Sequence, residues 1–221
     1  MLVLAIPACA DPVDAPDEEG DAAQNPLGAE APDPGREALV VEVERLRTLL
    51  ASTSEHLSNA TTAESAGALR EETGAAIELL IGDPSGEVTP LFPVETGERG
   101  GGGSDDLLTN LLTVAREAGG SDGRDVRELA RDLVAGDLGA WQRDADGMVA
   151  MVESIIAPGA SLEETEQAVF ELPGETTRAL AWALLADDTD DLERAREYAE
   201  RGATHLDVAV SAIDELELNE G

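Results

Sequence analysis

From residue 36 onward, apolar residues recur at alternating spacings of four and three. In REALVVEVERLRTLLASTSEHLSNA these positions are Leu39, Val43, Leu46, Leu50, Thr53, Leu57 and Ala60. That period puts them on one face of a helix near residues 36–59. Thr61 and Glu64 have capping-box spacing, which predicts a second helix from there to the stop at Gly82-Asp83-Pro84. Residues 83–104 (DPSGEVTPLFPVETGERGGGGS) then interrupt the pattern. Their length marks a functional loop or a subdomain boundary, with PLFPV an apolar piece able to dock.

The helical pattern returns at Ser104-Asp105 with DDLLTNLLTVAREA, closed by Gly119-Gly120. Val126, Leu129/Ala130 and Leu133 form one stripe, and Leu138, Trp141, Ala145, Met148, Val152 and Ile155 another. Gly136 and Gly139 fall between them as expected breaks. Ser161 with Glu164 repeats the capping-box spacing before a helix ended by Pro173-Gly174. TTRALAWALLADD reads as a central buried helix, and a long final helix spans about 191–216. No segment alternates with period two. The pattern predicts an all-α bundle of about six to eight helices over residues 35–218.

Before the bundle, residues 10–34 carry eight acids, five prolines and no base, with neither helical nor strand period. This predicts a disordered, self-repelling tether. The whole chain has 48 acids against 14 bases, a formal charge of −34, and every base is arginine. Such a surface repels phosphate, which excludes nucleic acid and anionic headgroups as partners. The composition resembles that of proteins from salt-adapted microbes. A core limited to five aromatic residues must be built of Leu, Val, Ile and Ala.

Candidate chemistry is sparse. His56 and His205 are the only histidines, each just before a stripe leucine, with Glu55 and Asp207 nearby. They lie in segments 44–63 and 193–212, which match at seven of twenty positions and align the two histidines. Imidazole with carboxylate inside a bundle could hold a transition metal, although no Glu-x-x-His is present. QRDADGMVAMVE (142–153) resembles an EF-hand loop. Asp144 and Asp146 stand at positions 3 and 5, Gly147 at 6 and Glu153 at 12, with Gln142 where an aspartate belongs. The resemblance implies calcium as a cofactor there; the competing reading is a helix with these residues on its polar face. A haem would need C-x-x-C-H, which is absent, leaving only a histidine with Met148 or Met151. Asn59-Ala60-Thr61 fits a glycosylation sequon but coincides with a helix end. No G-x-S-x-G, P-loop, dinucleotide fingerprint or H-E-x-x-H occurs, so no motif argues for an enzyme.

The single cysteine excludes an intrachain disulfide. It stands in Leu2-Val3-Leu4-Ala5-Ile6-Pro7-Ala8-Cys9, an apolar run followed by the acidic, proline-rich stretch. Ile6-Pro7-Ala8-Cys9 resembles the lipobox of bacterial lipoproteins, with an aliphatic residue at −3 and a small one at −1. The resemblance implies a signal segment at 1–9, lipidation of Cys9, an extracytoplasmic location and attachment to the membrane by lipid. It also implies a basic region and a longer apolar run encoded upstream. The alternative is an acidic cytoplasmic protein. The expected function is a non-enzymatic binding or interaction module at the cell envelope, taking its ligand between helices or under the 83–104 loop. The alternative from another class is a metal-binding bundle.

Overall fold

The structure is a computed structural model that describes residues 34–82, 88–92, 106–155, 160–216 and 218. Cys9 with its lipobox, the tether up to residue 33 and the glycine run 100–103 lie outside the described residues. The fold is all-α: every regular element among the described residues is helical, with no strand among them.

The first helix, α1 (Pro34–Thr61), begins with proline, whose fixed φ and missing N–H suit a first turn. Its buried residues are Leu39, Val43, Leu46, Leu50, Thr53, Leu57 and Ala60 of the predicted stripe, together with Ser54. Helix α1 includes Thr61, so Thr61 does not cap the next helix; its hydroxyl bonds back to the Ser58 carbonyl at 2.7 Å. The cap of α2 (Ala66–Ile81) is Ser65, which accepts from the Ala68 N–H at 3.2 Å. The sequence offers Thr61, Thr62 and Ser65 within five residues. Only the packed position of the turn decides which hydroxyl meets a free N–H.

Leu91 and Phe92, from the proline-bound segment, are fully buried. Their backbone splices two helix ends. Leu91 N–H donates to the Leu79 carbonyl at 3.0 Å and Phe92 N–H to the Leu80 carbonyl at 2.9 Å. On the other side, the Pro90 and Leu91 carbonyls accept from Leu107 and Leu108 at 2.9 and 3.1 Å. The carbonyls left over at the end of α2, and the N–H groups left over at the start of α3 (Leu107–Ala118), thus find partners. Asp106 caps α3 through Thr109 N–H at 2.7 Å. Phe92 also stacks on Trp141, with ring centroids 3.9 Å apart.

Helix α4 (Asp122–Leu129) runs straight into a π-helical turn, Ala130–Ala135. The Thr176 hydroxyl donates to the Val134 carbonyl there and approaches that of Leu133 at 3.3 Å, tying α8 to the turn. Gly136 ends the turn at φ 66°, and a Cβ there would come within 2.1 Å of Pro173. Both the backbone angle and the close approach demand glycine. The second stripe divides into α5 (Leu138–Arg143) and α6 (Ala145–Ile155). Helix α7 (Leu162–Phe170) has the predicted capping box of Ser161 and Glu164.

Helix α8 (Glu175–Asp188) is buried almost all round, as a helix apolar on every side must be. Asp191 caps α9 (Leu192–Asp214). Helix α1 packs against α2, α3 and α9, while α8 packs against α2 and α9, so the chain's first and last long helices close a four-helix core. Helices α6 and α7 lean on α8, and α4 on α3. One hydrophobic core joins residues on both sides of the 83–104 loop. Gly202 of α9 faces both α1 and α8: a Cβ there would meet Leu57 at 2.8 Å and Trp182 at 3.3 Å.

Candidate functional site

Helices α1 and α9 run antiparallel in a defined register. Ser54 donates to Asp207 at 2.7 Å and Arg47 to Asp214 at 2.5 Å. The Asp214 hydrogen bond holds the Arg47 guanidinium still more firmly protonated than usual. This register places residue 56 opposite residue 205, so the two matching segments lie side by side. Their imidazoles nevertheless turn to different helices. His56 Nδ1 lies 2.7 Å from Glu72 of α2, and His205 Nδ1 lies 2.6 Å from Glu175 of α8. Glu55 and Asp207 partner neither ring; Asp207 is taken by Ser54.

Around His205 a small polar chain forms. Glu175 also accepts from Arg178 at 2.8 Å, and Arg178 in turn donates to the Leu172 and Phe170 carbonyls. Phe170 meets His205 edge-on at 5.9 Å and carries Arg178 over its face at 5.6 Å. This network fastens the end of α7 to α8 and α9. Neither imidazole bonds a hydroxyl or thiol among the described residues, so neither forms a base–nucleophile pair there.

The metal expectations change with this geometry. Among the described residues, no three His, Cys, Asp or Glu side chains gather to hold an ion. An EF-hand loop must wrap its ligands round the metal. Here residues 145–155 are the helix α6, and Asp144 is its cap, with Oδ1 accepting from Gly147 N–H at 2.9 Å. Asp146 and Glu153 lie within α6, with side chains outside the described set. The competing reading of one continuous helix needs correction too. The backbone breaks at Asp144, with φ −158° and ψ 72°.

A site that sequence reasoning missed lies on the far side of α1. Val40 and Val41 are 43% and 56% exposed, next to the buried stripe rather than in it. With Leu49, Leu79 of α2 and Leu107 of α3 they wall a groove of about 630 Å³. Its size falls in the range of small-molecule pockets, roughly 300–1,000 Å³. Thr48, Ser52 and Thr89 supply hydroxyls that form no hydrogen bond among the described residues. Glu44 and Arg45 stand at the rim. Arg45 is occupied by both carboxylate oxygens of Glu42, at 3.0 and 3.2 Å. Among the described residues Glu44 pairs only with Arg47, at 3.8 Å, and Arg47 makes a shorter bridge to Asp214. The signal in the sequence was ALVVEV: two valines beyond what the helix stripe uses.

No described helix is long and apolar enough to cross a membrane. Compared with protein-family models, curated proteins and solved structures, the chain matches none.

Proposed function

We propose that the helical domain is a non-enzymatic binding module, carried at the outer face of the cell membrane by a lipid on Cys9, that takes a small amphipathic molecule in the α1 groove. The groove carries this reading. Its apolar walls would shed water on binding, which is worth roughly 25 cal/mol per Å² of apolar surface covered. Its three hydroxyls, without hydrogen-bond partners among the described residues, would meet a polar end of the ligand, and each can donate or accept. A mainly apolar wall with a few placed polar groups is the usual composition of a ligand site. The lipobox-like Ile6-Pro7-Ala8-Cys9 supports the anchor.

Titration of the full chain with the neutral dye N-phenyl-1-naphthylamine tests the binding reading. Saturable fluorescence enhancement is expected, lost in Val41→Asp, which places a charge on an already exposed position. No saturation, or saturation untouched by Val41→Asp, overturns it. Mass spectrometry of the native amino terminus tests the anchor separately: acylated Cys9 is expected, and unmodified Met1 with a free thiol rules it out.

A further inference from the structure

Resting on that groove reading, we infer that the ligand is a cationic amphiphile, its apolar body lying along Val40, Val41, Leu49, Leu79 and Leu107 and its positive head at Glu44. Three observations converge on this choice. The only base at the rim among the described residues, Arg45, is held by both oxygens of Glu42 and has no charge to spare for an anionic head. Glu44 is 66% exposed at the same rim, and its single cationic neighbour among the described residues, Arg47, stands 3.8 Å away on a shorter bridge to Asp214. The whole chain adds a field from a net charge of −34, which raises the local concentration of cations and repels anions. A fatty carboxylate would leave water to face Glu44 and an already neutralised Arg45. An alkylammonium would pair with Glu44 and keep its chain on the valines.

Three probes of one chain length separate the terms: decyltrimethylammonium, decyl maltoside and decanoate, each below its micelle concentration and at one fixed ionic strength. The cation is expected to bind tightest and decanoate weakest. Glu44→Gln should weaken the cation about two- to fivefold, the range of an exposed ion pair, and leave the maltoside unchanged. Glu200→Gln, a comparable loss of charge at an exposed position on α9, should change neither. Decanoate binding as tightly as the cation overturns the inference. So does a Glu44→Gln variant that keeps full cation affinity, or a Glu200→Gln variant that loses as much. If the maltoside still saturates in those cases, the groove reading survives. If no probe saturates, the groove reading itself falls and this inference with it.

Discussion

Thr176 and Thr177 stand together at the start of α8, both fully buried, and meet different fates. Thr176 serves the π-helical turn by donating its one hydroxyl proton to the Val134 carbonyl. Thr177 Oγ1 has no hydrogen-bond partner among the described residues. Thr53 and Thr73, equally buried, escape that cost by bonding to the carbonyls four residues earlier, at 2.8 and 3.1 Å. A buried, unpaired hydroxyl costs roughly 1–3 kcal/mol. Thr177→Val keeps the shape and removes the hydroxyl, so it should stabilise the protein by about 1 kcal/mol. A denaturant midpoint that rises with an unchanged slope is the expected readout. A midpoint that falls would show that the hydroxyl is satisfied after all.

At the scale of the element, the caps decide where helices begin, and one of them makes a pH-dependent contribution. Glu164 accepts from the Ser161 N–H at 2.9 Å and from its hydroxyl at 2.8 Å. The backbone hydrogen bond first, and the hydroxyl second, hold its carboxyl below the usual glutamate range. A depressed pKa in the folded state means the stabilisation is present above the unfolded value and lost as pH falls through the folded one. Acidification should therefore loosen the first turn of α7. In an NMR titration, the Glu164 carboxyl should have a midpoint below the usual glutamate range, and Ser161→Ala, which removes the hydroxyl but keeps the N–H, should raise it part of the way. A midpoint that ignores Ser161→Ala would remove the hydroxyl from the account and leave the backbone N–H alone responsible.

Across the whole molecule, charge is the dominant imbalance. Even with every arginine paired to one acid, 48 acids less 14 bases leave 34 carboxylates with no arginine to neutralise them. Compaction brings those charges closer, and self-repulsion destabilises the folded state. Salt shortens the reach of that repulsion from roughly 10 Å at 0.1 M to roughly 3 Å at 1 M. The helical melting temperature should therefore rise between 0.1 and 1 M sodium chloride, followed by circular dichroism. A flat or falling trend would mean that the ion pairs tying α1 to α4 and α9, such as Arg36–Asp122 and Arg47–Asp214, outweigh the repulsion.

The sequence by itself determined the helices and their buried faces. The period of α1 from Leu39 to Ala60, the capping box at Ser161 and the apolar circumference of α8 are local signals, because a helix satisfies its backbone internally and needs only a matching stripe to pack. Its limits were also local. Ser65 rather than Thr61 caps α2, and Asp144 divides the stripe 138–155, because caps compete and the winner depends on where the next helix docks. The tertiary structure alone decided that His56 and His205 share a level yet serve different carboxylates. Side-chain direction around a helix depends on which neighbour lies there. Only the tertiary structure could show that Val40 and Val41, surplus to the stripe, wall a groove with α2 and α3. A cavity belongs to several elements at once, and no single segment of the chain encodes it.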